Sequence, residues 1–320
     1  MEKSEKDIFF IFGSGRCGTT LLRALLVSHP DICIPGETHF YNQYTKLQSI
    51  KYGPMRPALY RQLVDKFPSW GHVKSETLDW QLFHELALNS TPSWDSLFIA
   101  YLTAYRLSLG KKIVGEKTPG HFKSINSLAN NFPESKFIHI IRDPRAVVAS
   151  YLKHTFYQDC FGSNVARAAQ KWVDAAKFHC KILNSPHSLQ ARYLMLRYED
   201  LVDDPESVIH KALQHIGADP TQFTMTAYCG LDLDGVNRTN HANIGKPISS
   251  AFNNKWKDEL SPQQMSIIET ICQPYLEKLG YSTHSQSTAS SLKLETFREE
   301  CVAELLQMRL IARKLLSTIT

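Results

Sequence analysis

Short apolar runs alternate along the chain with longer segments of mixed polarity that have helical character. The short runs predict β-strands at residues 8–12, 32–34, 112–115, 136–141 and 192–197. The longer segments predict helices at about 18–28, 76–109, 123–131, 144–154, 163–183 and 205–216. Short apolar strands that alternate with helices are typical of a parallel sheet covered on both faces. The pattern therefore predicts an α/β fold with a central parallel sheet flanked by helices.

The chain departs from this alternation in two places. Residues 42–111 contain no convincing strand and predict a helical insertion over the sheet, a candidate acceptor-binding region. Ordinary core packing is the alternative for most of its aromatic residues, which include Trp70, Trp80, Phe83, Trp94, Phe98 and Tyr101. After a domain predicted to span residues 1–281, a polar linker at 282–294 leads to an amphipathic helix at 295–320. That helix is expected either to dock on the core or to pair with a second subunit in a homo-oligomer.

Composition narrows the class of protein. The chain has 320 residues, of which 43% are hydrophobic and 21% charged, with a formal net charge of +5. These values are typical of a soluble globular enzyme, and the mild charge does not indicate a nucleic-acid partner. The seven cysteines are scattered without a C-x-x-C pair, so a reducing, cytoplasmic environment is expected. The apolar run at 8–12 is too short for a signal peptide or a membrane span.

The first candidate site is the glycine-rich turn in "DIFFIFGSGRCGTTLL", residues 7–22, between the first strand and the first helix. Such turns hold phosphate with backbone N–H groups and the positive end of the helix dipole. If the turn is interpreted as the dinucleotide-binding motif G-x-G-x-x-G, it predicts an NAD(P)-dependent oxidoreductase. Glu37 then lies 19 residues after Gly18, near the expected position of a ribose-binding acid. As a nucleoside-triphosphate loop the turn lacks the lysine that spans the β- and γ-phosphates. A third interpretation is that Arg16, Thr19 and Thr20 hold a tetrahedral anion without a metal.

A second candidate anion site follows the strand at 136–141. In "RDPRAVVASYLKH", residues 142–154, Asp143 is suited to cap a helix and Pro144 to its first turn. Arg142 and Ser150 are eight residues apart, so both can reach one anionic group if the helix starts where predicted. Two anion sites fit a nucleotide that carries a phosphate away from its main phosphate chain, which NAD does not.

These motifs together resemble those of sulfotransferases that use 3′-phosphoadenosine 5′-phosphosulfate (PAPS). The resemblance implies a P-loop-like three-layer fold, PAPS as donor, 3′,5′-adenosine bisphosphate (PAP) as product, and a phosphosulfate loop followed by a 3′-phosphate motif. Two weaker matches are "LRYEDLVDDP" at 196–205 and "GKPISSAFNNKW" at 245–256. By this resemblance the nucleotide-binding residues are Gly15, Arg16, Cys17, Gly18, Thr19, Thr20, Arg142, Ser150, Tyr198 and Lys255.

The order of "HPDICIPGETHF" and "GEKTPGH" is most similar to tyrosylprotein and related carbohydrate and bacterial sulfotransferases. That similarity implies that Glu37 takes the acceptor proton while Lys117 and Arg16 stabilise the transferring group. His39 or His121 is the alternative base. The tyrosylprotein pattern has arginines where this chain has His39 and His154, which disfavours a peptide acceptor. We therefore expect transfer to a hydroxyl or amine of a small molecule, such as a secondary metabolite.

Two further expectations concern metal ions and catalysis. No H-x-x-x-H pair or carboxylate cluster has metal-ligand spacing, so no metal is expected. A nucleotide-binding scaffold without catalytic activity remains an alternative function. The joint presence of Glu37, Lys117, Arg142 and Ser150 favours an enzyme instead.

Overall fold

A computed structural model describes residues 7–43, 55–73, 78–154, 164–229 and 244–283. The five predicted strands are all present: β1 (Ile8–Phe12), β2 (Ile32–Cys33), β3 (Ile113–Lys117), β4 (Lys136–Ile141) and β5 (Tyr193–Arg197). They form a parallel sheet in the order β2-β3-β1-β4-β5. The predicted C-terminal helix at 295–320 and all but the first two residues of the predicted linker lie outside the described residues.

The sheet order brings the ends of two central strands together. In the β1–β3 pair Ile11 lies opposite Lys117, and in the β1–β4 pair Phe12 lies opposite His139. The strands are parallel, so the segments that follow their last residues lie at one edge of the sheet, where α/β proteins bind ligands. The nucleotide-binding order of an NAD-dependent dehydrogenase places β1 beside β2. Here β3 separates them, which disfavours the oxidoreductase interpretation.

The bounds of the helices refine the sequence prediction. Those that precede β4 are α1 (Thr19–Val27), α2 (Phe40–Gln43), α3 (Pro57–Lys66), α4 (Trp80–Leu88), α5 (Trp94–Ser108) and α6 (Ile125–Asn131). Those that follow it are α7 (Pro144–Lys153), α8 (Val165–Leu183), α9 (His187–Gln190), α10 (Tyr198–Asp203), α11 (Pro205–Ile216), α12 (Met225–Tyr228), α13 (Trp256–Glu259) and α14 (Pro262–Leu276). Short 3-10 turns span Phe67–Ser69, Pro119–Ser124, Pro220–Gln222, Ser250–Phe252 and Glu277–Leu279. Within the described residues, no helix is long and apolar enough to cross a membrane.

One predicted helix is wrong in its length. The segment 76–109 is two helices, α4 and α5, because Pro92 lies between them and Ser93 caps the second by accepting a hydrogen bond from the Ser96 N–H. The helix α3, which begins at Pro57, falls within the helical insertion predicted at 42–111. The helix α14, which begins at Pro262 with a Ser261–Gln264 capping box, was not predicted, and neither were the short helices α2, α9, α10, α12 and α13.

The described part of the 42–111 segment is helical, and most of its aromatic rings are core. Phe83, Trp94, Phe98 and Tyr101 are fully buried, each with at most 1% of its surface exposed. Phe40 stacks on Phe98, and their ring centroids are 4.3 Å apart. These rings stabilise the insertion instead of lining an open acceptor surface. Its role in acceptor binding stays a prediction.

The chain divides into two compact units. The first contains residues 1–141 and 181–249, including the whole sheet. The second contains residues 142–180 and 250–320, and its described helices are α7, α13, α14 and most of α8.

A buried ionic group organises the second unit. The Arg145 guanidinium donates to both carboxylate oxygens of Asp143, at 2.9 and 2.7 Å, and to Glu269 Oε1 at 2.7 Å. It also lies 4.2 Å from the ring centroid of Trp256. Arg145 and Glu269 are each only 2% exposed. One arginine side chain therefore connects α7 to α14 and to the first residue of α13.

Replacing Arg145 with alanine should destabilise the protein strongly, because two buried carboxylates would lose their counter-charge. Breaking a buried ion pair in this way costs about 3–5 kcal/mol. Lys153→Ala is the matched control, because Lys153 is 60% exposed and its pair with Glu259 should contribute no more than about 1 kcal/mol. The measurement is the urea unfolding midpoint of both variants. Equal midpoints would show that the buried group is not needed for stability.

Candidate active site

The glycine-rich turn has a backbone conformation that residues with a side chain rarely adopt. Gly15, Arg16 and Gly18 have positive φ angles of 79°, 51° and 100°. Gly18 is also the N-cap of α1, and its lack of a side chain leaves no side-chain cap on the first-turn N–H groups. A helix N-terminus that follows such a turn is suited to bind a phosphate or sulfate group.

One predicted nucleotide-binding residue of the turn, Cys17, is buried, and another, Gly18, packs against Tyr198. Burial raises the pKa of the Cys17 thiol. Its sulfur atom packs against Gly13 so closely that a Cβ atom added to Gly13 would be only 2.2 Å away from it. Only the Cys17 backbone is therefore suited to contact a ligand. At Gly18, an added Cβ would lie 2.3 Å from the Tyr198 ring. Tyr198 thus packs directly on the turn, and its role in nucleotide binding stays a prediction.

Lys117 is the last residue of β3 and connects the turn to the predicted base. Its ammonium group is buried, with 3% of the side chain exposed. It forms a short ion pair with Glu37 Oε1 and lies 3.5 Å from Thr20 Oγ1 in the first turn of α1. The predicted sulfonate-binding lysine, the predicted base and the helix predicted to bind phosphate therefore meet at one point.

The pair changes the protonation behaviour of both members. Burial opposes ionisation of Glu37, but the charge of Lys117 and hydrogen bonds from His39 and Lys117 outweigh it and lower the Glu37 pKa to about 2. Burial also lowers the Lys117 pKa, and Glu37 counteracts that effect. Glu37 is therefore an ionised carboxylate whose basicity is suppressed by its partner.

His39 lies beside Glu37 at the more open side of this group. Its Nε2 atom is 3.3 Å from Glu37 Oε2, and both side chains are 34% exposed. The exposed His72 ring packs edge-on against His39, with centroids 5.0 Å apart.

His121, the other predicted alternative base, is in a different environment. It is fully buried, its Nδ1 lies 2.8 Å from Glu116 Oε2, and its Nε2 accepts a hydrogen bond from the Tyr41 N–H at 3.2 Å. Both ring nitrogens are thus engaged by buried protein groups. This geometry favours a structural role for His121.

The remaining predicted nucleotide-binding residues belong to the second unit. Asp143 caps α7 by accepting a hydrogen bond from the Arg145 N–H at 2.8 Å, and Pro144 is the first helical residue, as predicted. The Arg142 carbonyl accepts a hydrogen bond from Trp172 Nε1 at 2.8 Å, which fixes the backbone just before α7. Ser150 lies within α7, and Lys255 is the N-cap of α13.

Sequence reasoning missed two residues of the first unit's site. His72 is separated from Glu37 by more than 30 positions, and no motif marks it. Thr118 follows Lys117 directly in "GEKTPGH". Its position just after a predicted strand could have indicated that it belongs to the site. Among the described residues, no group of three or more His, Cys, Asp or Glu side chains could hold a metal ion.

Comparison with known proteins identifies relatives of this chain. A family model described as "Sulfotransferase family" matches residues 8–222. A putative protein-tyrosine sulfotransferase of Caenorhabditis briggsae is 23% identical over 90% of this chain and 93% of its own length. The mycobacterial omega-hydroxy-beta-dihydromenaquinone-9 sulfotransferase Stf3, from Mycobacterium bovis, is 34% identical over 33% of this chain and 29% of its own length. A solved sulfotransferase domain from the curacin biosynthetic pathway has a TM-score of 0.56 at 22% identity, and the match covers 87% of this chain and 98% of the domain.

Glu37→Gln should lower stability at neutral pH, because the buried Lys117 would lose its counter-charge. The carboxyl pKa falls from 4.5 to about 2, so its contribution is complete above 4.5 and is lost as the pH falls towards 2. The difference in urea midpoint between wild type and variant should therefore shrink across that range. The exposed Glu85→Gln is the control. A Glu37→Gln difference that stayed constant from pH 7 to pH 3 would contradict the lowered pKa.

Proposed function

Because the chain belongs to the sulfotransferase family, we propose that it transfers the sulfonate group of PAPS to a hydroxyl or amine of a small-molecule acceptor. The observation that carries this proposal is the position of Lys117. One buried cation contacts both the predicted base, Glu37, and the first turn of the helix that follows the anion-binding turn.

The residues of the turn fit the donor in charge and shape. The strained backbone at Gly15 and Arg16, the uncapped start of α1 and the Thr19 and Thr20 side chains suit a tetrahedral anion. Arg142, Ser150 and Lys255 are proposed to bind the 3′-phosphate side of the nucleotide, on the evidence of their sequence motifs. When bound, PAPS would supply an activated sulfonate.

Lys117 is proposed to stabilise negative charge as the S–O bond to the phosphate breaks. Preorganised positive charge is usually the largest catalytic contribution in such a site. A sulfonate oxygen near Lys117 would compete with Glu37 for the ammonium group. Sharing Lys117 in this way would raise the Glu37 pKa, so the carboxylate would become a stronger base when the donor is in place. Glu37 would then take the acceptor proton as the acceptor oxygen or nitrogen attacks sulfur.

The choice of a small-molecule acceptor rests on two features. His39 stands where the tyrosylprotein pattern has an arginine, so a cation suited to an acidic peptide is missing there. The relative Stf3 is named for a menaquinone acceptor, and it matches a segment of 117 residues at 34% identity. The tyrosine-directed relative matches far more of the chain, so a tyrosine peptide belongs in any acceptor screen.

The donor is tested by calorimetric titration with PAP in EDTA, alongside AMP, NADH and ATP with magnesium. We expect PAP to bind, and Arg142→Ala to weaken PAP about 10- to 100-fold through loss of a charge-assisted hydrogen bond. The variant should bind AMP, which has no 3′-phosphate, as the wild type does. Lys177→Ala, an exposed cation of α8, is the control. Binding of NADH without PAP would overturn the proposal in favour of an oxidoreductase.

The identity of the base is tested by comparing the turnover of the Glu37→Gln and His39→Gln variants. Turnover is measured as the release of PAP from PAPS. The trial acceptors are 4-nitrophenol, an aliphatic alcohol, an aliphatic amine and a tyrosine peptide. General base catalysis contributes about 100-fold or more, so Glu37→Gln should reduce turnover by at least that factor while it retains PAP binding. His39→Gln should have the smaller effect. The reverse order would assign the base to His39. A wild-type chain that binds PAP without transfer to any trial acceptor would support the scaffold alternative.

A further inference from the structure

A buried polar cluster lies directly behind the Lys117–Glu37 pair and has no part in the proposed chemistry. Its centre is Glu116, the residue before Lys117 in β3, which is fully buried. Glu116 Oε1 accepts hydrogen bonds from Thr38 Oγ1 at 2.9 Å and Thr118 Oγ1 at 2.6 Å. Its other oxygen, Oε2, lies 2.8 Å from His121 Nδ1.

The hydrogen-bond directions in this cluster are determined by the backbone. His121 Nε2 must accept, because its partner is the Tyr41 N–H. The proton of a neutral imidazole is then on Nδ1, which donates to Glu116. Thr118 Oγ1 accepts from the His39 N–H at 3.2 Å and Thr38 Oγ1 accepts from the Phe40 N–H at 3.3 Å, so both hydroxyl protons are directed to Glu116. Three donors thus converge on one carboxylate.

The cluster holds a strained turn. His39 has a φ of 49°, in the left-handed region that non-glycine residues rarely adopt. Its N–H is bound by Thr118, which directly follows Lys117, and its side chain contacts Glu37. The Thr118 hydroxyl therefore joins the end of β3 to the backbone of the turn that carries Glu37.

We propose that Thr118, oriented by the buried Glu116, is a positioning residue that holds the Glu37–His39 turn in register with Lys117. Its catalytic significance rests on the proposed function, whereas its effect on the turn does not. The hydroxyl acts through the turn and touches no reacting atom. Thr118 fixes the His39 backbone, and that backbone sets how Glu37 and His39 face the acceptor.

The geometry also shows why the centre is a carboxylate. A glutamine at position 116 would replace one acceptor oxygen with an N–H₂ donor. If that group faced the threonines, their hydroxyl protons would lose their acceptor. If it faced His121, the imidazole would have to accept at Nδ1, and Nε2–H would then oppose the Tyr41 N–H. An acceptor-only group satisfies all three donors at once.

The test compares Thr118→Val, which keeps the shape and removes the hydroxyl, with Thr118→Ser, which keeps the hydroxyl. Hydrogen exchange is measured on the free protein over residues 36–41, a readout that requires no ligand or acceptor. We expect exchange in this segment to be at least about 10-fold faster in Thr118→Val, because the His39 N–H loses its acceptor and the turn loses its anchor. Thr118→Ser should restore the slow exchange. Thr103→Val, a buried threonine of α5, controls for the general effect of this substitution.

The effect of Thr118→Val on catalysis is measured in two assays, the affinity for PAP and the rate at which PAP is released from PAPS. We expect Thr118→Val to bind PAP within about twofold of the wild type and to turn over at least 10-fold more slowly, with recovery in Thr118→Ser. Unchanged exchange at residues 36–41 in Thr118→Val would overturn the positioning role. So would an equal loss in Thr118→Val and Thr103→Val. A wild-type chain that does not bind PAP would instead count against the proposed function and leave the exchange result to decide the role of Thr118.

Discussion

The arrangement of this site depends on one buried cation at the end of a central strand. An ammonium group that is 3% exposed is held in a position where water cannot solvate it well, so it requires a carboxylate nearby. Glu37 supplies that charge, and the pair fixes the turn at 36–39 against β3. In the proposed reaction, an anionic donor would compete with Glu37 for Lys117 and so rearrange this charge pair.

The sheet order makes this pair possible. β3 lies between β1 and β2, so the segments after all three strands lie at one edge. The turn after β1 leads into the helix that is predicted to bind an anion, the segment after β2 supplies Glu37, and β3 itself ends at Lys117. A sheet with β1 beside β2 would place the acidic residue next to the glycine-rich turn, where a dinucleotide ribose binds. The same G-x-G-x-x-G sequence therefore stands in a different strand order from that of an NAD-dependent dehydrogenase.

Sequence reasoning was reliable where a local rule decides the structure. The strands were found because each is a short apolar run, and the start of α7 because Asp143 and Pro144 are good capping and first-turn residues. The split of 76–109 was missed because the aromatic residues continue through the break at Pro92. Most of those rings proved to be core, since a helical insertion needs its own apolar interior. Local patterns cannot distinguish that use from a binding wall.

The site residues show the same limit. Lys117 and Glu37 were predicted from motifs, but the pairing of their charges was not, because it depends on the order of strands that are far apart in sequence. Thr118 and His121 both lie in the segment "GEKTPGH", the same motif that contains Lys117. Only the direction of their hydrogen bonds distinguishes a positioning hydroxyl from a base, and that direction is set by the backbone N–H groups of His39 and Tyr41.

The low pKa of Glu37 has a consequence for how the proposed reaction is controlled. A carboxylate with a pKa of about 2 is a weak base, so in the free protein it is poorly suited to take a proton from an acceptor. The ion pair with Lys117 therefore suppresses the basicity of Glu37. A donor sulfonate that draws Lys117 away from Glu37 would remove this suppression. In that scheme base strength would rise only when the sulfonate is present to be transferred, and a single lysine would connect the two events.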